Sequence, residues 1–374
     1  MARWRSQPLP KFRMRRVTVK VFIARRKVGL GGAAFRTHLH YIERDGVDRN
    51  GAPGRLYDRA SDDVDGDDFR ARSDKDRRQF RLIVSPEDGS AFSDLKENTR
   101  SLMARVEADL GRKLDWVAVD HFDTGHPHTH VVIRGRDFAG EDLIIARDYL
   151  IQGLRQRAAE VMTERLGPRR DLEILQSRSA EVDRNRFTGI DRDLAARARE
   201  DAIRLTTGAT ARDRFERDIA LRRLRHLETL SLAMCAGPDI WRLAPEWEGA
   251  LRTLGRRDDI VRTLTAQIGD RARTPLFEIY KPATGKTITG RIAAFGAADE
   301  IGENRFLVVE ATDGRSWYVE LGAVSGESLP GKGAIVEIAP HNAGPQTADL
   351  TIARIARTNA WLYSDALHRN DDPY

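Results

Sequence analysis

The stretch HFDTGHPHTHVVIRG, residues 121–135, holds four of the chain's nine histidines: His121, His126, His128 and His130. Alternate residues of a strand share a face, so His128, His130, Val132 and Arg134 point one way, and Thr129, Val131 and Ile133 the other. The preceding run LDWVAVDHF reaches His121 and can pair antiparallel across the turn 122–127, which brings a third imidazole to the same edge. Three neutral ring nitrogens converging on one point make a site for a divalent cation. Asp120 and Asp123 lie near enough in sequence to orient ring N–H groups. A patch of surface histidines without a ligand, or a structural zinc site, is the plainer reading, and the third histidine on a paired strand weighs against it.

The elements that must position these rings are legible from periodicity. VTVKVFI (17–23) places Val17, Val19, Val21 and Ile23 on one face, and FRLIVS (80–85) does the same with Phe80, Leu82 and Val84. AAFRTHLHYIERDG (33–46) has Phe35, Leu39 and Ile42 at helical spacing, with Tyr41 on the opposite face beside His38 and Asp45. The Asp, Arg and Gly-rich stretch 47–79 reads as a surface excursion. A helix is expected over 93–111, with Ser93 as N-cap and Gly111 as stop, and another over 147–167. The order β-α-β-α-β-β-α implies an α+β fold, a mainly antiparallel sheet backed by helices on one face, spanning 1–170.

Beyond this, 171–273 reads as a helical region, with 212–233 its clearest helix and a short helical module carrying Trp241 and Trp247. The mixed charge of 171–235 reads most simply as a solvated face, with nucleic-acid contact as the alternative. Residues 274–360 show short strands and Gly-rich turns, the pattern of a small β-barrel.

Composition narrows the class. Charged residues make up 32% of the 374 and the net charge is +6, with a pI near 9.5. The distribution says more, because residues 1–42 carry many Arg and Lys and no carboxylate precedes Glu43. A polyanionic partner fits that arm, and a solvated tail fits residues 1–12 equally well. No stretch has the roughly 20 apolar residues of a membrane span. A single cysteine, Cys235, excludes an intramolecular disulfide framework and a Cys-rich zinc site, which fits a reducing cytoplasm.

The pattern His-X-Asp-X3-Pro-His-X-His, carried here by His121, Asp123, Pro127, His128 and His130, resembles the third motif of conjugative relaxases of the mobilisation and T-DNA border endonuclease type, within the HUH endonuclease superfamily. The family's bulky apolar middle position is Thr129 here, which faces away from the site. The resemblance covers about residues 15–167, HLHYIERDG being similar to the nucleophile motif. It implies the HUH relaxase fold, Mg or Mn held by His121, His128 and His130, and Tyr41 as the group that attacks DNA. The implied activity is site- and strand-specific nicking of single-stranded DNA at an origin of transfer in conjugation. A 5′-phosphotyrosine intermediate and later rejoining would follow. Accessory relaxosome proteins and a type IV secretion coupling protein are the implied partners, and a bacterial cytoplasm the implied location, with transfer alongside DNA into a recipient cell. The carboxy-terminal part resembles the region that accompanies one group of relaxases.

The chemistry of Tyr41 makes sense independently. A phenol deprotonates near pH 10 and needs a cation or base beside it, together with a polarised phosphorus opposite. Tyr57 and Tyr149 are the alternative nucleophiles. His126 is open between ligand, support for a ligand and DNA contact. Ser85 resembles a position that meets the DNA backbone, and Arg134, on the histidine face, is a candidate phosphate contact. Arg15, Arg16, Lys20, Arg25, Arg26 and Lys27 would supply sequence-independent affinity that falls with salt; Trp4 and Phe12 are candidate stacking partners for bases. Three other functions compete: a rolling-circle replication initiator, a non-catalytic metal-stabilised DNA-binding module, and a hydrolytic metallo-phosphodiesterase that would not need Tyr41.

Overall fold

The computed structural model describes residues 11–26, 38–39, 42–43, 48–122, 126–268, 277–281, 285–298, 304–323, 330–341 and 349–356. The chain divides into two compact units, one made of Met1–Arg169 with Glu278–Tyr374 and the other of Arg170–Phe277. The three segments read from sequence are thus gathered into two bodies, the first and third together.

The first unit contains an antiparallel four-stranded sheet, β1 (Val17–Arg25), β2 (Arg78–Pro86), β3 (Leu114–His121) and β4 (His128–Asp137), in the order β1-β2-β4-β3. The α+β class follows directly, and the predicted alternation holds. Val17, Phe80, Leu82, Val84, Val131 and Ile133 pack on one face against Leu102, Val106, Leu154 and Val161. Those last residues come from helices α2 (Lys96–Leu110) and α3 (Leu154–Leu166), so α1 names the earlier helix Gly66–Ser73. Gly111 ends α2 with φ 62°, the left-handed conformation that glycine adopts without steric cost. The start of α2 differs from expectation. Ser93 is not its cap; Leu95 is, and its N–H is bonded 2.8 Å from an Asp120 carboxylate oxygen.

The sheet is covered on both faces rather than one. Leu39, Ile42, Leu56 and Phe69 pack on Val117, Val119 and Val132. The stretch 47–79 is therefore no mere excursion: α1 lies within it, and Tyr57 exchanges backbone hydrogen bonds with Ala118 at the outer edge of β3. Its charged surface conceals these few apolar residues from a periodicity argument. Gly135 in β4 marks a close approach, since a Cβ there would lie 2.2 Å from the Arg78 carbonyl oxygen. Gly135→Ala is expected to cost about 1–3 kcal/mol by forcing the β2–β4 ladder apart, seen as a lower urea midpoint.

The carboxy-terminal part of this unit is a six-stranded antiparallel sheet. Its strands are β8 (Phe277–Ile279), β9 (Ile288–Ala297), β10 (Asn304–Ala311), β11 (Ser316–Ala323), β12 (Ile335–His341) and β13 (Asp349–Ala356), in the order β13-β12-β9-β10-β11-β8. Among the described residues no ladder returns from β13 to β8, so the expected closed barrel is an open sheet. One face carries Ile292, Leu307, Val309, Val319 and Val336.

The second unit holds helices α4 (Asp171–Ser179), α5 (Gly189–Arg197), α6 (Ala211–Thr229) and α7 (Trp247–Ile268), with a small sheet ordered β5-β7-β6. Its strands are β5 (Ala202–Arg204), β6 (Ala233–Gly237) and β7 (Ile240–Leu243). The module expected to be helical around Trp241 is a hairpin, because Gly237 and Asp239 adopt positive φ and reverse the chain. Thr210 and Asp213 form a reciprocal cap that starts α6. Among the described residues no helix is long and apolar enough to cross a membrane.

Candidate metal centre

The antiparallel register sets His121 directly opposite His128, and Val119 opposite His130. The three imidazoles leave the sheet on the face that carries Val117, Val119 and Val132. Their ring centroids are 4.5–5.1 Å apart, and one nitrogen from each ring falls within 4.8 Å of the others. All three are buried, His130 to 1% exposure. These three buried histidines are close enough to hold a metal ion.

Hydrogen bonding defines which nitrogens are available. His128 Nδ1 lies 3.0 Å from the His126 carbonyl oxygen, so it donates there and leaves its Nε2 lone pair facing inward. That Nε2 is 3.2 Å from His130 Nε2, while the buried Nδ1 of His130 has no hydrogen-bond partner among the described residues. Either His130 donates from Nε2 and leaves a buried lone pair unanswered, or two lone pairs face each other. A cation between the two Nε2 atoms removes the second conflict. Adjacent nitrogens bound at about 2.0–2.1 Å stand roughly 3.0–3.4 Å apart in octahedral or tetrahedral geometry, and the 3.2 Å separation falls in that range. The donor set fits a divalent ion. Burial, followed by the neighbouring His121 and His128, holds the His130 pKa well below the usual imidazole value, which favours the neutral, ligating form.

His121 Nε2 sits 3.2 Å from the Ile42 carbonyl oxygen. The segment containing His38, Leu39, Ile42 and Glu43 is thereby brought to the histidines, with Leu39 and Ile42 buried. His38 is buried too, and among the described residues its Nε2 has no hydrogen-bond partner. Burial, then the charge of Arg81, lowers its pKa strongly. Sequence reasoning placed His38 on the face of Tyr41 and gave it no role; its sharing of a helical face with Tyr41 was the available signal.

Several expected supporting residues occupy other places. Asp120 does not orient the rings. As the neighbour of His121 in a strand it faces the opposite side, where it accepts from Tyr57 Oη at 2.8 Å, Thr129 Oγ1 at 2.7 Å and the Leu95 N–H at 2.8 Å. Burial raises its pKa, and these donors oppose that rise. This bond set pins the row beside His121–His128. Asp120→Ala, which strands three donors, is expected to cost about 3 kcal/mol or more in thermal unfolding and to weaken metal binding in parallel. His126 supports His128 through its backbone carbonyl. Tyr57 is buried in the helix-side core, on the face of the sheet away from the histidines, with its pKa raised well above the usual phenol value, chiefly by that burial. Tyr149 donates to Asp109 at 2.6 Å, and burial and that carboxylate raise its pKa in turn.

Arg134 shares the histidine face but is held by Asp76 at 2.9 Å and by Asp115 at 2.9 Å, both buried, so the expected phosphate contact is replaced by an internal ion-pair network. Arg15 is buried and donates to Gly167 O at 2.9 Å, closing the end of α3; it too is withdrawn from the set of DNA contacts. Arg16 lies 3.9 Å from Glu87. Lys20, Arg25 and Arg26 are exposed, and Arg26 donates to Asp74 O at 3.0 Å. Ser85 is half-buried, opposite Thr18, on the histidine face. Phe12 is 40% exposed. Tyr41, Asp123, Lys27 and Trp4 lie outside the described residues.

Residues 220–374 match a family described as a protein of unknown function (DUF3363). That match begins inside α6 and leaves the histidine cluster outside it. No curated protein and no solved structure matches the chain.

Proposed function

We propose that the protein is a metal-dependent relaxase that nicks single-stranded DNA at an origin of transfer, with Tyr41 as nucleophile. The observation that carries this reading is the 3.2 Å contact between His121 Nε2 and the carbonyl oxygen of Ile42, the residue next to Tyr41 in the chain. It joins a three-histidine cluster to the segment that contains the tyrosine. The number of ligands adds support: structural zinc sites usually close with four protein ligands, whereas a three-ligand set leaves positions open to substrate. Among the described residues the group has three members.

His121, His128 and His130 would hold a divalent ion such as Mg or Mn, which would supply positive charge and Lewis acidity at the scissile phosphate. In the reaction the Tyr41 oxygen loses its proton and bonds to phosphorus, and the P–O3′ bond breaks. The 3′ oxygen takes up a proton. One strand end is then a free 3′-hydroxyl and the other a 5′-phosphotyrosine, and attack by that hydroxyl reverses the step and rejoins the strand. Relaxosome proteins and a secretion coupling protein are the partners this role requires.

The test is a panel of labelled single-stranded origin-of-transfer oligonucleotides with Mn, scored for a protein–DNA adduct that survives denaturation. The adduct is expected with the parent protein and absent with Tyr41→Phe. Cleavage without an adduct, unchanged by Tyr41→Phe, would replace this reading with hydrolysis.

A further inference from the structure

The strand register places one basic residue in line with the metal centre. Lys20 on β1 pairs with Ile83 on β2, and Ile83 pairs with His130 on β4. Residues directly opposite in antiparallel strands project to the same face, so Lys20, Ile83 and His130 form a cross-strand row on the histidine side. Two inter-strand steps of about 4.8 Å separate the Lys20 and His130 backbones, a span the lysine stem shortens from one end and the imidazole from the other. Ile83 between them is buried and makes an apolar floor, whereas Lys20 and Thr18, two residues along β1, are exposed. Among the described residues no carboxylate lies within ion-pair distance of Lys20, unlike Arg134 on the same face, which two acids hold. An exposed ammonium in the row of the buried histidine cluster places a positive charge on the β1 side of the site.

We propose that the Lys20 ammonium binds a non-bridging oxygen of the phosphodiester seated at the histidine cluster, so that the phosphate is gripped from the β1 side as well as from the histidines. This rests on the DNA-nicking reading for its substrate class, and it sets Lys20 apart from the basic residues around it, whose contribution is general attraction to a polyanion. Lys20 is a positioning residue for the phosphate and leaves the histidine nitrogens as they are.

The experiment compares the parent protein with Lys20→Gln, Lys20→Arg and Arg155→Gln, the last an exposed change on α3, which packs on the other face of the sheet. Two readouts are taken: single-turnover adduct formation on an oligonucleotide that the parent cuts, and binding of random-sequence single-stranded oligonucleotides with and without Mn. Loss of one charge-assisted hydrogen bond should slow adduct formation about 10- to 100-fold in Lys20→Gln. Lys20→Arg should recover most of that rate, Arg155→Gln should change it less than about twofold, and Mn affinity without DNA should not fall in any of the three, whereas a merely structural role for Lys20 would lower it together with the rate. A Lys20→Gln rate like that of the parent, or an equal loss in Arg155→Gln, overturns the proposal. Should the parent form no adduct on any oligonucleotide, the nicking reading fails and the binding readout decides this one: Mn-enhanced binding lost in Lys20→Gln upholds the phosphate grip, and enhancement that is absent, or retained in Lys20→Gln, overturns it.

Discussion

His130→Ala is expected to lower Mn affinity by roughly two orders of magnitude or more, because loss of a residue that merely supports a ligand already costs about 10- to 100-fold. Adduct formation should fall by about a thousandfold, the equivalent of the several kcal/mol that a bound cation contributes to a phosphoryl transition state. The fold should tolerate the change. His130 is almost fully buried, yet its Nδ1 has no partner among the described residues, so removing it relieves an unanswered polar atom while opening a cavity, and the net cost should stay under about 2 kcal/mol. Isothermal titration with Mn and thermal unfolding of the same sample separate the two effects. Metal affinity within a factor of a few of the parent would show that the three rings do not act together as ligands.

The second large effect belongs to the other unit. Arg223 and Asp191 are both fully buried, joined at 2.8 and 2.9 Å. All the guanidinium hydrogens are used, because Arg223 also donates to the carbonyl oxygens of Val182, Arg184 and Arg186 at 2.7–3.0 Å. Asp191 in turn accepts from the backbone and hydroxyl of Thr188, the cap of α5. Asp191→Ala leaves a buried cation with no counter-charge and should destabilise this unit by about 3–5 kcal/mol. Arg223→Met with Asp191→Leu removes both charges and should cost much less. Hydrogen exchange read separately over 170–277 and over the four-stranded sheet distinguishes a local loss from a global one. Equal stability of the single and double variants would mean that the pair carries no such debt.

The histidine cluster was legible because a strand's period of two is simple: the pattern His-X-His on β4, with His121 one turn away, needs only a correct register to converge. The same parity excludes Asp120 from the rings, since adjacent strand residues face apart, and proximity in sequence misled there. Arg134 shows a different limit. Its face was read correctly, but its partners Asp76 and Asp115 arrive from elsewhere in the chain, and no local pattern announces them. Arg15 likewise looked like part of a basic arm until a helix end 152 residues on supplied its acceptor. The second layer over the sheet escaped notice because Leu56 and Phe69 lie far apart in a stretch dominated by charges. The open carboxy-terminal sheet was legible strand by strand, while closure depends on pairing between its first and last members, which spacing does not encode.

The two-unit partition has a consequence for how the molecule is made. The second unit, Arg170–Phe277, interrupts the first, whose remaining part begins only at Glu278. At a synthesis rate of about 5–20 residues per second, the ribosome needs on the order of ten seconds to pass through the insert. During that interval the nascent four-stranded sheet has all its own strands but not the rest of its unit, and must keep its apolar surface from neighbouring chains. A gene fragment that starts at residue 220, where the family match begins, would cut α6 between Ile219 and Ala220 and yield half of one unit with the tail of the other. Expression boundaries chosen at 170 and 277 respect the order in which the chain can finish its two bodies.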